Sequence, residues 1–337
     1  MIITSPADSV ETQTMQAIVQ TDYGAPDVLS LAEVARPIPQ EGEVLVRVRG
    51  ASVDAGTWHL MRGTPFLIRL IYGGLRQPKH SILGAAIAGE VAAVGKDVTQ
   101  FQPGDAVFGD LSESGFGGFA EYVCAPASAL ASMPQNLTFE AAATVPVSGL
   151  AALQALRNTG QVQAGQRVLV VGASGGVGSF AVQLAKAFGA DVVGSCRTQK
   201  VKMVHQLGAD HVIDYTQTDI TQTDRPYDLI VDTAAYRPFE DYFSVLKPGG
   251  TYVVVGGATS AFFRAMLLGA WLGKRRDRIV KSLTSTPNQA DLQTLKELVE
   301  AKKVVPYCDL TYPLSAVPEA IRHLENRQVT GKVAITI

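Results

Sequence analysis

The amino-acid sequence predicts an α/β protein in which a mostly β part, expected to form a barrel, accompanies a doubly wound parallel sheet. Three observations support this prediction. Short β-type runs separated by Gly/Pro turns fill residues 15–137. From Arg167 onward, strand-like apolar runs alternate with helical patterns. A glycine-rich turn at residues 172–178 joins the first of these runs to the first helix.

The β-rich part follows a polar stretch, residues 1–14, that we expect to be frayed. Apolar and charged side chains alternate over residues 43–49, as in a strand with one buried face. Further strands are predicted at residues 88–94, 106–108 and 119–124, with Gly/Pro turns between them. Short strands with frequent turns are typical of a small barrel.

The glycine turn is the strongest functional signal in the chain. The preceding run at 168–171 is apolar and β-branched, and residues 179–188 have helical spacing. Strand, turn and helix in this order bring free backbone N–H groups and a positive helix end to one point, which suits a pyrophosphate. The alternative is an ordinary structural turn, since the spacing is G-x-x-G-x-x-G instead of G-x-G-x-x-G. The predicted cofactor-binding residues here are Gly172, Ser174, Gly175, Gly176 and Val177.

The type of nicotinamide cofactor is predicted from the end of the second strand, residues 191–195. NAD-binding folds usually place an acidic residue there, about 20 residues past the glycines, to bind the ribose 2′-hydroxyl. This chain instead carries Ser195, Arg197 and Lys200, which offer a hydroxyl and two cations to a 2′-phosphate. The alternative is a solvated basic start to the next helix. The sequence therefore predicts NADPH.

The division of the chain follows from where the pattern changes. Strands are predicted at 168–171, 191–195, 211–214, 228–232 and 251–256, and helices at 179–188, 199–207 and 239–246. The last segment returns to β-like runs around a helix at 317–326, and residues 332–337 could rejoin the first sheet. The predicted domains are residues 15–137 with 304–337, and residues 138–303.

Composition restricts the classes of partner and compartment. The chain has 337 residues with 29 basic and 31 acidic side chains, so its net charge implies no nucleic-acid partner. Three widely spaced cysteines fit a reducing compartment, and we expect the cytoplasm. The apolar run 261–272 contains Arg264 and is too short to span a bilayer, so no stable membrane insertion is expected. Residues 262–278, apolar and then basic, are interpreted as a pocket lid or subunit contact, with membrane-surface binding as the alternative.

Several motifs together resemble the medium-chain dehydrogenase/reductase superfamily, in its zinc-free quinone oxidoreductase branch. The resemblance covers nearly all of the chain after residue 15. It implies a GroES-like barrel built from both ends of the chain, an inserted Rossmann domain, a small-molecule substrate and a homodimer. The motifs lie at residues 51–54, 58–63, 84–91, 101–108, 118–122, 207–215, 246–250 and 331–333, besides the glycine turn.

The resemblance also implies roles for single residues at the cofactor site. Lys200 lies close to the lysine that binds the 2′-phosphate in this branch. Tyr215 matches a tyrosine that lies along the adenosine phosphate, and Arg327 matches a late arginine that reaches the same phosphate. Gly256 and Gly257 should pass beside the nicotinamide ring.

The same resemblance predicts that no metal is bound. Zinc alcohol dehydrogenases surround their catalytic metal with a Cys, a Gly-His-Glu motif and a second thiolate. In this chain Asp54 occupies the first thiolate position, and Ala85 and Ala86 replace the His-Glu pair. The four-cysteine structural loop is absent from the sequence.

The expected reaction is hydride transfer from NADPH to the β-carbon of an enone, an enal or a quinone. Asp54 is a candidate general acid, although such an aspartate more often caps a turn. Trp58 and His59 are candidate pocket residues, with a core tryptophan and a surface histidine as the alternatives. Related sequences read Ser-Val-Asn-Pro-x-Asp and Gly-x-Asp where this chain reads Ser-Val-Asp-Ala-Gly-Thr and Gly-Ala-Ala. These departures leave two other functions open: a non-catalytic NADPH-binding or redox-sensing protein, and a trans-acting enoyl-thioester reductase.

Overall fold

A computed structural model describes residues 13–72, 74–257 and 259–337. Most of the stretch expected to be frayed lies outside these ranges. Its last residue, Thr14, already begins a strand. The first two strands, β1 and β2, pair antiparallel over their whole length and are Thr14–Gln20 and Leu29–Ala35.

The larger sheet of the β-rich part has seven strands, drawn from both ends of the chain. The central strand β3 is flanked by β4, by β6 and by the last strand of the chain, β15. The order is β14-β15-β3-β4-β5-β7, with β6 paired to β3. These strands are β3 Glu43–Val53, β4 Ala86–Val94, β5 Ala106–Asp110, β6 Tyr122–Pro126, β7 Leu130–Ser132, β14 Cys308–Pro313 and β15 Lys332–Thr336.

The second sheet has six parallel strands in the order β10-β9-β8-β11-β12-β13. The order reverses at β8, and this reversal opens a crevice at the carboxyl ends of the strands. The predicted doubly wound parallel sheet is thereby confirmed. The strands are β8 Arg167–Val171, β9 Asp191–Cys196, β10 His211–Asp214, β11 Tyr227–Asp232, β12 Leu246–Val254 and β13 Ile279–Ser282.

Nine α-helices are assigned in the part of the chain that the structure describes. They are α1 Ala55–Arg62, α2 Leu67–Ile71, α3 Phe139–Ala143, α4 Pro146–Gln154, α5 Gly176–Ala187, α6 Val201–Gln206, α7 Thr259–Arg275, α8 Gln289–Glu300 and α9 Val317–Glu325.

One face of the seven-stranded sheet packs against the helices that cover the parallel sheet. Ala88 on β4 and Phe108 on β5 are completely buried in the same apolar cluster as Leu150 of α4 and Phe180 of α5. This shared cluster joins the two parts of the molecule. The division predicted at residues 137/138 and 303/304 stays a prediction.

Several local predictions differ from the observed elements. The segment predicted as an α-helix at 239–246 is a 3-10 helix, Phe239–Ser244, because β12 already begins at Leu246. The strand expected at 119–124 runs instead from Tyr122 to Pro126. Several regular elements were not predicted, among them α1, β13 and α8. The lid or contact segment 262–278 is mostly the helix α7, which packs on β13 through the small residues Gly269 and Gly273.

Candidate active site

The glycine turn has the geometry that a phosphate-binding turn needs. Gly172, directly after β8, has φ +77° and so adopts a left-handed conformation. α5 begins at Gly176 with Gly175 as its N-cap. A Cβ on Gly178 would lie 2.1 Å from the carbonyl oxygen of Gly172, so only glycine lets the helix approach the strand this closely. The turn therefore presents the amino end of a 12-residue helix at the crevice of the sheet.

The C-terminal segment joins the same turn. The backbone N–H of Gly331 donates to the carbonyl oxygen of Ser174 at 2.8 Å. A Cβ on Gly176 would lie 3.1 Å from Cδ of Lys332. Gly331 and Lys332 thus contact the predicted pyrophosphate site, although they lie more than 150 positions away from it in the sequence.

Three of the predicted phosphate-binding residues come close together at the end of β9. Arg197 Nε donates to the Tyr215 hydroxyl at 2.8 Å. Lys200 Nζ donates to the carbonyl oxygen of Val329. Val329 lies two residues beyond the exposed Arg327, so the Lys200 ammonium reaches the segment that carries this arginine. Burial, reinforced by the charge of Arg197, lowers the pKa of Lys200.

Sequence reasoning missed a carboxylate at this position. Asp214, the last residue of β10, lies beside Cys196 in the parallel pairing of β9 and β10. Its carboxylate accepts hydrogen bonds from Thr198 Oγ1 at 2.5 Å and Thr216 Oγ1 at 2.6 Å, and these bonds lower its pKa. The end of β9 therefore combines two cations of its own with one anion from the neighbouring strand.

Ser195 and the two glycines after β12 sit at the same edge of the sheet. Ser195 is fully buried, so its hydroxyl is less accessible than a group that binds a phosphate should be. Gly257 has φ +114°, and a Cβ there would lie 1.9 Å from the carbonyl oxygen of Ala234. At Gly256 a Cβ would meet nothing within 4 Å, so its surroundings are open. The open space lies where the nicotinamide end of the cofactor is predicted.

The three substrate-side residues make local structural contacts. Asp54 caps α1: its Oδ1 accepts from the Thr57 backbone N–H at 2.9 Å and its Oδ2 from Thr57 Oγ1 at 3.3 Å. Trp58 Nε1 donates to Glu325 of α9 at 2.9 Å, and His59 Nδ1 lies 2.8 Å from the carbonyl oxygen of Thr64. Capping and packing account for these contacts, and the catalytic and pocket roles stay predictions.

Two buried charged side chains near Asp54 were not among the predicted site residues. Lys332 is 2% exposed, and its Nζ donates to the carbonyl oxygen of Val53 at 3.0 Å. Burial lowers the pKa of Lys332, whereas the charges of Asp54 and Asp110 oppose this shift. Burial raises the pKa of Asp110 to about 6. A lone lysine in the apolar run 332–337 was the available signal for Lys332.

Comparison with known proteins identifies the family. The alcohol dehydrogenase GroES-like domain matches residues 40–135, and a profile described as zinc-binding dehydrogenase matches residues 207–335. The 2-methylene-furan-3-one reductase of Solanum lycopersicum is 33% identical over 98% of this chain and 83% of its own length. The chloroplastic NADPH-dependent alkenal/one oxidoreductase of Arabidopsis thaliana is 32% identical over 98% and 81%. The chloroplast envelope quinone oxidoreductase homolog of the same plant is 31% identical over 95% and 98%.

This chain belongs to the medium-chain dehydrogenase/reductase superfamily. Within it, the relatives place the chain in the quinone oxidoreductase-like branch. The quinone oxidoreductase from Coxiella burnetii has the same fold, with a TM-score of 0.85 and 28% identity over 96% of this chain and 100% of its own. A solved NAD-dependent alcohol dehydrogenase superposes with a TM-score of 0.81 and 30% identity over 96% and 100%. The predicted GroES-like and Rossmann architecture is confirmed, and the protein is an oxidoreductase with a pyridine nucleotide cofactor.

The residues of this medium-chain reductase do not fit a catalytic zinc. Where related enzymes place their metal ligands, it has the capping carboxylate of Asp54 and the methyl groups of Ala85 and Ala86. Burial raises the pKa of the Cys124 and Cys196 thiols to about 11. Across residues 13–72, 74–257 and 259–337, no group of three or more His, Cys, Asp or Glu side chains is arranged to hold a metal ion.

No helix in the described ranges is both long and apolar enough to cross a bilayer.

Proposed function

We propose that this protein is a zinc-independent, NADPH-dependent reductase that transfers hydride to a quinone or an α,β-unsaturated carbonyl compound. The observation that carries the proposal is the pair of cations after β9, Arg197 and Lys200, together with Arg327, which lies two residues before the Val329 carbonyl that Lys200 contacts. Three cations outnumber the two carboxylates nearby, Asp214 and Asp309, which favours a doubly charged 2′-phosphate over a neutral hydroxyl. Relatives named for alkenal/one and quinone reduction support the choice of substrate class.

In this proposal the bound cofactor supplies the hydride. The chain orients the cofactor and the substrate, excludes water from the site and provides the charged groups that bind the cofactor. The turn at residues 172–178 holds the pyrophosphate through backbone N–H groups and the amino end of α5. Tyr215, held by Arg197, forms one wall of the adenosine site. The open edge beside Gly256 admits the nicotinamide ring. An activated C=C bond needs no metal, because the substrate's own carbonyl oxygen takes up the developing negative charge.

Steady-state assays with several acceptors test this function. We expect the protein to oxidise NADPH in the presence of 1,2-naphthoquinone or an alkenal, and much more slowly with crotonyl-thioester. Dialysis against a chelator should leave the rate unchanged, because no step passes through a metal. Tight NADPH binding without oxidation by any acceptor would instead favour the non-catalytic alternative, and a preference for the thioester would favour the enoyl-thioester reductase.

We also propose that the protein is a homodimer held through α7 and β13. The outer side of α7 exposes Leu267 and Trp271 by 74% and 54%, and four basic side chains follow within residues 274–278. β13 is an edge strand of the parallel sheet. An exposed apolar helix beside an unpaired strand edge is a surface that a second copy can cover symmetrically.

Replacing Leu267 and Trp271 together with aspartate should convert the dimer to a folded monomer. The two carboxylates would be desolvated in the contact but not in the free protein. Light scattering measures the mass, and Leu31→Asp on β2, 48% exposed, is the matched control. An unchanged dimer would contradict this contact, and recovery of the wild type only with anionic vesicles would favour membrane binding.

The three cysteines are free, which supports our proposal of a cytoplasmic location. Cell fractionation tests it, and recovery of the protein in an organelle, as the names of several relatives indicate for them, would contradict it.

A further inference from the structure

Three residues on neighbouring strands form a row across the seven-stranded sheet. Ser52 of β3 pairs directly with Ala86 of β4, and Ala86 pairs directly with Asp110 of β5. Residues paired in this way project from the same face of a sheet. Strands lie about 4.8 Å apart, so the Ser52 and Asp110 side chains are separated by about 10 Å, with only a methyl group between them.

This row faces the cofactor site. Two residues further along the same face, Ala88 and Phe108 are buried against α4 and α5, so the face is turned toward the nucleotide-binding part. Lys332 projects from the same face of the sheet, since Ala334, two residues further along β15, pairs with Ser52. The stem of Lys332 passes within 3.1 Å of the Cβ position of Gly176 in the pyrophosphate turn. The row therefore lies between the apolar contact of the two domains and the predicted cofactor cleft.

The polar groups at the two ends of the row are both buried. Ser52 is 0% exposed, and its Oγ makes no hydrogen bond with any part of the chain that the structure describes. Asp110 is 4% exposed, and its Oδ1 accepts from the Ser112 backbone N–H at 2.9 Å. An unpaired buried hydroxyl costs free energy unless a ligand satisfies it. The two groups thus have the character of a site for a polar ligand.

The surroundings of Asp110 raise the pKa of its carboxyl, so a larger fraction is protonated at neutral pH than for an exposed aspartate. Burial is the main cause, and it raises the pKa to about 6. Asp54 and Glu113 add to the increase, and the Ser112 hydrogen bonds oppose it. The ammonium of Lys332, the cation on the same face, is held at the Val53 carbonyl and faces both aspartates. A carboxyl in this state can donate a proton.

We infer that Ser52 and Asp110 form the substrate-oxygen and proton-donor ends of the reductase site, with Asp110 as the acid that protonates the α-carbon of an enone. The inference rests on the proposed function. Ala86, which lies between the two ends on β4, carries only a methyl group. Asp54, by contrast, is engaged as the cap of α1 and positions that helix.

The step balances as follows. Bound NADPH would supply a hydride, with its electron pair, to the β-carbon. The C=C π electrons would then move toward the carbonyl oxygen, which accepts a hydrogen bond from the Ser52 hydroxyl. The Asp110 O–H bond then breaks, its proton joins the α-carbon, and the carboxylate takes a new proton from water. The sum is one enone, one NADPH and one proton converted to the saturated ketone and NADP⁺.

Two acceptors distinguish this role from a structural one. Carbon protonation needs a positioned acid, whereas the oxygens of a reduced quinone take protons directly from water. Asp110→Asn should therefore lower kcat/KM for the enone by about 100-fold and leave quinone reduction nearly unchanged. In the wild type, kcat/KM for the enone should fall as the pH rises through about 6, and the variant should lack this dependence.

A conservative variant and a matched control complete the test. Asp110→Glu keeps a carboxyl at the same position and should retain part of the enone activity. Asp105→Asn removes a carboxylate from the turn before β5 and should behave like the wild type. Equal loss of both activities in Asp110→Asn, or loss of neither, would overturn the donor assignment alone. A wild type that reduces neither acceptor would contradict the proposed function and the donor with it.

Discussion

Replacing Arg197 and Lys200 together with alanine is expected to weaken NADPH binding by about 100-fold and to leave NADH binding nearly unchanged. Each cation can form a charge-assisted hydrogen bond to the 2′-phosphate, worth about 1.5–3 kcal/mol. A loss of about 3 kcal/mol corresponds to about two orders of magnitude in the dissociation constant. Titration calorimetry with both cofactors measures the change.

The matched control for this double variant is Arg225→Ala. Arg225 is also exposed, but it pairs with Asp191 at the opposite end of β9, with 3.2 Å between the charged atoms. It should leave the affinity for both cofactors as it is. Equal weakening of NADPH and NADH in the double variant would mean that the two side chains do not contact the 2′-phosphate. A wild type that prefers NADH would refute the assignment of NADPH itself.

The second large effect is expected at Gly178, where alanine should destabilise the protein by about 3 kcal/mol and abolish cofactor binding. The added Cβ would lie 2.1 Å from the Gly172 carbonyl oxygen and 2.9 Å from Cα of Ala173. Both are backbone atoms of the turn, which cannot rotate away as a side chain does. α5 must therefore move off the strand, and its amino end leaves the pyrophosphate site. Thermal melting of the cofactor-free protein measures the loss of stability.

Gly175→Ala is the internal comparison, because its Cβ would lie 3.3 Å from the same Gly172 oxygen and its φ of −86° is open to any residue. We expect it to melt close to the wild type and to bind cofactor more weakly, since the methyl group occupies the approach of the phosphates. If Gly178→Ala melted like the wild type, the close contact between helix and strand would not be a stability determinant. Normal binding by Gly175→Ala would place the pyrophosphate elsewhere.

The site is assembled at the seam between the two sheets. One side is the turn after β8, and the other is a face of the β-rich part on which Lys332 and Asp110 are buried. The last strand of the chain brings Lys332 to this seam because β15 pairs with the central strand β3. The same strand end holds Gly331 against Ser174. The start of β15 therefore contacts both the glycine turn and the proposed substrate side.

Local patterns in the chain were sufficient to predict the architecture and the glycine turn. Apolar β-branched runs and helical spacing depend on residues a few positions apart, so the parallel strands and α5 could be predicted from them. The motifs that resemble the medium-chain superfamily also predicted that the last strand returns to the sheet of the first domain. The spacing of Leu292, Leu295 and Val299 was an equally local signal for α8 that was overlooked. α7 was harder to recognise, because it buries small residues and exposes large apolar ones.

Contacts between distant strands needed three-dimensional coordinates, because strand order and register are set by packing across the whole sheet. Residues 195–200 contain no acid, yet β10 places the Asp214 carboxylate beside Thr198. No local pattern relates Ser52 to Asp110. They lie in one row only because β4 lies between β3 and β5 with Ala86 in register with both residues. Burial, which sets the protonation of Asp110 and Lys332, is likewise a property of the folded assembly. A pyridine nucleotide cofactor could therefore be predicted from the chain, whereas the Asp214 carboxylate at the proposed phosphate site and the proposed proton donor could not.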